Sequence, residues 1–394
     1  MLTIDQARDV IARNVRALEP VEVGVTVAVG LRLAGRPIAM FDLPPADVSV
    51  MDGYAVRTTD LDRGPLPIAA QAPAGSPRVT LPVETAARIQ TGAALPLGAD
   101  VVVPQEKAVI DPDGRVRLPR VPAGSSIRRQ GEIVRAGDCL ADAGVLVSPQ
   151  LIGLIAGAGA STVRVIPRPR VAIVTTGSEL VGLHESPGNG RIRDSNAAML
   201  HSLASGADLS AFSLDRVPDR YSDLRNAIGT AKTAADVVVT SGGVSVGDYD
   251  LVREAVEEEG GEILLHRIAV RPGKPTLCAK LGPTWVIGLP GNPLSALVMW
   301  HLLVRPLVQA LSGDPAAFES NREVGILTEP ASNPGERTTF APALAQGGPG
   351  RARVRLIPWK GSHDLLALSR ANSLAILHAG AEFRAESQIE LVYF

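Results

Sequence analysis

The sequence predicts an α/β multidomain protein, with a central parallel α/β sheet domain, a β-rich N-terminal module and a small C-terminal β-barrel. Three observations carry this. Between Arg170 and Ser312, short apolar runs alternate with stretches of helical spacing, the rhythm of a parallel sheet covered on both faces. From about Val21 to Val147, β-branched runs are broken repeatedly by Gly and Pro, which reads as short strands and tight turns. After the Gly313-Asp314-Pro315 breaker the tail reads β again, and Arg351, Arg353 and Arg355 alternate along one strand face.

Each element has a local reason. Thr3 with Gln6 three residues on is a capping box, and Ile4, Ala7, Val10, Ile11, Val15 and Leu18 follow at helical spacing until Pro20. In the β-rich stretch, Val21 to Val29, Val101 to Pro104, Val109-Ile110 and Val145 to Val147 are strand-like, with Asp111-Pro112-Asp113-Gly114 as a turn. Leu151 to Gly159 is a small-residue helix, expected to pack closely against the first one. Pro167-Arg168-Pro169 then marks a boundary. Val171 to Thr175, Val237 to Thr240 and Trp285 to Leu289 are buried-type strands. Ser195-Asn196 is expected to cap a helix through Ala204, and Tyr221 to Lys232 is a second helix. These boundaries divide the chain into a linking segment at 1–26 plus 146–169, a β-rich segment at 27–145, an α/β segment at 170–312 and a barrel at 313–394.

Composition narrows the function. Charged residues make up 20% of the chain and hydrophobic ones 45%, a globular balance. The net charge of −2 supplies no general field for nucleic acid or anionic lipid, so anion binding must be local. Arg128-Arg129 lacks interleaved aromatics and reads as a solvated turn rather than an RNA contact. Cys139 and Cys278 sit in no metal spacing, and the six histidines form no zinc motif. The longest apolar stretches, near Leu151 and Leu294, fall short of the ~18–20 residues of a membrane span. Asp5, Arg8 and Asp9 are foreign to a signal peptide. A cytoplasmic protein with no membrane partner is the expectation.

The chemistry concentrates between Val237 and Ser295. Val237 to Thr240 runs into Ser241-Gly242-Gly243, with Asp248, Tyr249 and Asp250 close behind. Trp285 to Leu289 runs into Pro290-Gly291-Asn292-Pro293, and an apolar helix-like segment starts at Ser295. Strands that end in glycines and open a helix point free N–H groups at one spot. Between them lies the basic loop Arg271-Pro272-Gly273-Lys274-Pro275. Together these predict a site for a phosphorylated or oxyanionic ligand. Glu179, Asp219, Asp248 and Asp250 are candidate acids. Glu179 and Asp250, near strand ends, are the pair expected to hold Mg²⁺ against phosphates, with Asp250 facing solvent. Each has an alternative as an ordinary surface carboxylate, and Lys274 as a solvated loop lysine. No Walker A, dinucleotide or nucleophile-elbow motif is present.

With these residues assembled, the chain resembles the molybdopterin molybdenumtransferases, the MoeA and gephyrin E-domain family, over essentially its whole length. The ordered matches begin with Met51-Asp52-Gly53-Tyr54-Ala55, Gln90-Thr91-Gly92-Ala93, Gly98-Ala99-Asp100-Val101-Val102 and Arg128-Arg129-Gln130-Gly131-Glu132. They continue through Thr176-Gly177-Ser178-Glu179-Leu180, Asp194-Ser195-Asn196, Ser241 to Gly247, Pro272-Gly273-Lys274-Pro275 and Leu289 to Pro293. The resemblance implies four subdomains with an α/β domain of molybdopterin-binding type, an elongated homodimer, and molybdenum insertion into adenylylated molybdopterin. In that reaction molybdate donates the metal, AMP leaves and Mg²⁺ assists, and a molybdopterin adenylyltransferase is a possible partner.

The resemblance also distributes roles. Glu179, Asp219 and Asp250 would orient Mg²⁺ on the pyrophosphate, and Ser241, Gly242 and Gly243 would cradle phosphate. Lys274 and Arg271 would neutralise charge that develops on cleavage. Pro290, Asn292 and Pro293 would shape the pterin-side wall. Asp52 and Thr91 would reach the site of the other subunit, and Ser295, Arg337 and Ser362 would surround molybdate. Two positions depart from the family: Arg271 stands where Lys is usual, and Ile133 follows Glu132 where Asp is common. Two other readings compete. A molybdopterin adenylyltransferase shares only the α/β domain, which leaves the modules carrying Asp52 and Thr91 unexplained. A non-catalytic scaffold of the same architecture is the other.

Overall fold

A computed structural model describes the chain except for residues 189, 207–208, 214–215, 245–249, 320–321 and 349–350. Asp248 and Tyr249, expected near the site, lie outside the described residues, as do Ser245 to Gly247. The chain forms two compact units, Glu22–Val165 and Met1–Val21 with Ile166–Phe394.

Helix α1 (Ile4–Asn14) starts on the expected capping box, with Thr3 accepting the Gln6 amide and Gln6 reaching back to the Thr3 amide. Its buried stripe, Ile4, Ala7 and Ile11, joins the core of the larger unit. The helix Pro149–Gly157 belongs to the smaller unit, where Ile155 is buried in a cluster with Val25, Leu33 and Val165.

In the smaller unit, strands β1 (Gly53–Val56), β2 (Ile68–Ala72), β3 (Ala86–Ile89) and β4 (Val101–Pro104) form a sheet in the order β2-β3-β1-β4. Strand β1 runs antiparallel to both neighbours, and all four of its residues are buried. The glycine in Met51-Asp52-Gly53-Tyr54-Ala55 has a steric cause, because a Cβ at Gly53 would overlap the Val103 carbonyl oxygen.

The larger unit holds the α/β layer. Its elements are β5 (Arg170–Thr175), α2 (Ser195–Gly206), β6 (Ser210–Ser213), α3 (Tyr221–Ala234), β7 (Val237–Ser241), α4 (Leu251–Glu258), β8 (Glu262–His266), β9 (Val270–Arg271), β10 (Leu277–Leu281) and β11 (Thr284–Leu289). The six-stranded sheet has the order β6-β5-β7-β11-β10-β8. The first four strands are parallel, as the sequence rhythm predicts. Strands β10 and β8 depart from it, because β11 and β10 pair as an antiparallel hairpin across Gly282-Pro283 and β8 pairs antiparallel to β10. The sheet is therefore mixed. One face buries Ile173, Val239 and Ile287 in one cluster, and the other buries Ala172, Val238 and Val286 in a second.

Beyond β11 the chain is helical without a break from Pro293 to Leu311, as α5 (Pro293–Met299), a π-helical stretch (Trp300–Val304) and α6 (Arg305–Leu311). This corrects the expectation that no apolar stretch reaches membrane-spanning length. The helix is nineteen residues long and apolar enough to cross a membrane by length and composition, and 89% of its apolar window is buried inside the protein. Pro306 does not stop it, because it falls in the first turn after the π-helical stretch, where its missing N–H is tolerated. Within that stretch His301 is buried and stacks on Phe394 at 5.1 Å. Burial, aided by Arg305, pushes its pKa down to about 4.

Strands β12 (Glu323–Leu327), β13 (Thr338–Gln346), β14 (Ala352–Leu356), β15 (Ser373–Leu377) and β16 (Gln388–Tyr393) close into the expected C-terminal barrel. The order is β13-β14-β12-β16-β15, and pairing of β13 with β15 completes the ring. Arg353 and Arg355 face outward from β14, with Ala352 and Val354 inward. The barrel is stitched to the α/β layer by β9, which pairs in parallel with β13, placing Val270 opposite Thr338 and Arg271 opposite Thr339.

Gly53→Ala should lower stability by about 2–3 kcal/mol, the cost of overpacking a closed strand pair. Chemical denaturation of the two proteins measures this, and an unchanged midpoint would mean that β1 and β4 separate freely at this point.

Candidate oxyanion site

The carboxyl ends of β5, β7 and β11 form a hydrogen-bonded crest. The Thr176 amide donates to the Ser241 carbonyl, and the Gly242 amide donates to the Leu289 carbonyl. Gly242 has φ +94°, and a Cβ there would overlap the Thr176 carbonyl oxygen. Asn196, on the first turn of α2, donates from Nδ2 to Ser241 Oγ at 2.9 Å and to the Gly291 carbonyl at 2.8 Å. The cap of α2 is Asp194, not Ser195-Asn196 as expected. Asp194 Oδ1 accepts the Ala197 amide, and its Oδ2 accepts Thr175 Oγ1 at 2.5 Å.

This lattice changes the reading of Ser241, Gly242 and Gly243 as a phosphate cradle. The Gly242 N–H is already bonded within the crest and Ser241 Oγ already accepts from Asn196. Of the three glycine-turn amides, that of Gly243 has no acceptor among the described residues. Asn196 carries a buried Oδ1 with no partner.

The acidic residues separate into different environments. The Glu179 carboxylate is exposed and folds back beside Gly177, where a Cβ would lie 2.8 Å from Oε2. Asp219 is exposed but engaged, accepting Thr176 Oγ1 at 2.6 Å and the Ser178 amide at 3.3 Å. Asp250 is not the solvent-facing ligand that was expected. It is buried, its Oδ1 caps α4 by accepting the Arg253 amide, and its Oδ2 lies 2.7 Å from His266 Nε2. That contact has ion-pair distance without hydrogen-bond direction. Among the described residues no three of His, Cys, Asp and Glu gather in a way that would hold a metal ion.

Where the α/β layer meets the barrel, a cavity of about 920 Å³ opens. It gathers seven of the predicted residues: Arg271, Lys274, Pro290, Asn292, Ser295, Arg337 and Ser362. Pro293 begins α5 beside them. The Gly273 turn has φ +120°, and a Cβ would approach Met299 Sδ to 2.5 Å, so this backbone requires glycine. The turn is locked by Thr276 Oγ1 donating to the Gly273 carbonyl at 2.7 Å. Arg337 donates from Nη1 to the Val270 carbonyl at 3.0 Å. The Leu294 amide donates to the Ser362 carbonyl, bringing the two serine-bearing segments together.

The sequence reading missed Lys360, Trp359 and Thr339, which also line the cavity. Lys360 and Trp359 precede Ser362 on the loop after β14, and the Arg271 guanidinium lies over the Trp359 ring at 5.9 Å. Thr339 is buried with an unpartnered hydroxyl. Arg271, Lys274, Arg337 and Lys360 thus face a cavity whose lining contains one carboxylate, Glu329, and none of the four forms an ion pair among the described residues. A surplus of positive charge with hydroxyls and an amide side chain suits a multiply charged oxyanion.

In the smaller unit, Asp52 Oδ1 accepts both the Thr91 amide at 2.7 Å and Thr91 Oγ1 at 3.0 Å. These two bonds, with Arg88 nearby, hold its carboxyl below the usual range. Asp52 lines a small polar pocket with Gln71, Arg88, Gln90 and Gln105. Ile133, the second departure, is exposed.

Two family models match successive parts of the chain. Residues 2–159 match the family described as the MoeA N-terminal region (domain I and II), and residues 172–310 match the probable molybdopterin binding domain. The chain is 33% identical to the molybdopterin molybdenumtransferase of Haemophilus influenzae, over 96% of this chain and 94% of that one. It is 34% identical to molybdopterin molybdenumtransferase 2 of Mycobacterium tuberculosis, over 95% of each. Among solved structures, the molybdopterin biosynthesis MoeA protein of Pyrococcus horikoshii superposes with a TM-score of 0.85 at 26% identity, covering 100% of this chain and 99% of that one.

Asp250→Ala should destabilise the protein by about 2 kcal/mol through loss of the α4 cap and of the charge facing His266. Asp250→Asn, which keeps a capping oxygen, should cost less. Melting curves of both variants decide this, and wild-type stability in the alanine variant would mean that neither the cap nor the His266 contact stabilises the fold.

Proposed function

The chain belongs to the molybdopterin molybdenumtransferase family, enzymes of molybdenum cofactor biosynthesis, and on that premise we propose that the sheet–barrel cavity binds molybdate for insertion into adenylylated molybdopterin, with release of AMP. The observation that carries this reading is the set of four cations, Arg271, Lys274, Arg337 and Lys360, which lack ion-pair partners among the described residues. Molybdate is a tetrahedral dianion, and charge-assisted hydrogen bonds of about 1.5–3 kcal/mol each would hold it there. Ser295 and Ser362 supply hydroxyl donors, and Pro290, Asn292 and Pro293 form the wall toward the pterin.

Cleavage of the phosphoanhydride leaves negative charge on the departing phosphate, and Lys274 and Arg271 are placed to neutralise it. Gly243 N–H supports phosphate binding, with Ser241 and Gly242 acting as the rigid frame of that turn. For magnesium, the proposed ligand set is narrower than the one read from the sequence. Glu179 has an exposed carboxylate and would hold Mg²⁺ together with phosphate oxygens, a mode this ion favours, while Asp219 and Asp250 act on the backbone around it. When bound, Mg²⁺ would shield the pyrophosphate charge. Asp52, presented by Thr91 with a free oxygen, would serve the site of a second copy in a homodimer, and a molybdopterin adenylyltransferase would supply the adenylylated substrate. The setting proposed is the cytoplasm.

Purified protein given adenylylated molybdopterin, Mg²⁺ and molybdate should release AMP, and Lys274→Ala or Arg337→Ala should slow that release about 100-fold. Release by both variants at the wild-type rate would remove the cavity from the reaction.

A further inference from the structure

We propose that Trp359 is a positioning residue whose indole face fixes the Arg271 guanidinium in the oxyanion cavity, and so sets the affinity of that cavity for a tetrahedral dianion. The inference rests on the reading of the cavity given above. The other cavity arginine, Arg337, is anchored by its bond to the Val270 carbonyl. Arg271 has no such anchor. Its side chain is exposed, forms no hydrogen bond or ion pair among the described residues, and has the Trp359 ring as its recorded contact.

The ring is the rigid member of the pair. Trp359 is half-buried and packs against the large α/β core. Its loop is tied on both sides, by the Ile357 amide to the Pro342 carbonyl and by the Lys360 amide to Asp364 Oδ2 at 3.0 Å. Further along, the Ser362 carbonyl accepts the Leu294 amide. Arg271 starts from an equally fixed point, because β9 pairs with β13 through Arg271 and Thr339. Backbone pairing therefore fixes the root of Arg271, and the electron-rich indole face restrains its head. A guanidinium held in place loses less rotamer freedom when an anion arrives, and the gain appears as affinity. Trp359 acts through Arg271 and needs no contact with the anion.

The test is a double-mutant cycle on molybdate binding, followed by calorimetry with the full-length protein. Trp359→Leu should weaken binding about three- to five-fold, the range of a partly exposed cation–π contact. In an Arg271→Met background the same change should have no further effect. Trp359→Phe keeps an aromatic face and should stay within about two-fold of wild type, which also controls for any loosening of the loop by leucine. In turnover, the loss should fall mainly on the KM for molybdate rather than on kcat. Equal weakening in both backgrounds, or none in either while wild type binds, would overturn the role of Trp359 and leave the cavity reading intact. Failure of wild type itself to bind molybdate would overturn both.

Discussion

An excess of positive over negative charge around one cavity is the constraint on which this structure turns. Four cations facing one cavity repel one another, and three of them are held there on separately braced segments. Lys274 stands on a glycine turn locked by Thr276, Arg337 is bonded to the Val270 carbonyl, and Arg271 rests on Trp359. The join of β9 to β13 brings the α/β and barrel contributions together. Without that pairing the lysine loop and Arg337 would belong to unrelated surfaces, and no concentrated field would exist for a dianion.

The crest of the sheet plays a different part from the one its glycines suggest. Its amides and side chains are largely spent on each other, through Asn196, Ser241, Gly242, Leu289 and Thr176. Such a lattice stiffens the turns that lead into Pro290 and Asn292, so the crest positions the cavity wall more than it supplies donors. Asp194 contributes in the same way, spending both carboxylate oxygens on Thr175 and the start of α2. Preorganised surroundings of this kind are what allow a few donors to act on developing charge.

Much of this was legible in the sequence, and the limits have physical causes. The parallel strands announced themselves as buried β-branched runs, and Arg271 to Pro275 with Pro290 to Pro293 marked the site by turn chemistry. Ser295, Arg337 and Ser362 came through family resemblance, since no local pattern joins residues so far apart in the chain. Lys360 and Trp359 carried no signal, because a barrel loop acquires its role through closure of β13 on β15. Leu277 to Leu281 was not read as a strand because it contains no β-branched or aromatic residue. Asp250 was expected to face solvent because a carboxylate just before a helix serves equally as a cap or a ligand, and its burial beside His266 is set by tertiary packing that no local pattern carries.

On this reading the join between sheet and barrel is where a tetrahedral metal oxyanion binds. Anomalous diffraction at the molybdenum edge from crystals soaked in molybdate tests it most directly. One strong peak is expected inside the cavity, within contact of Arg271, Lys274 and Arg337. Peaks confined to other surfaces, with that cavity empty at saturating molybdate, would contradict it.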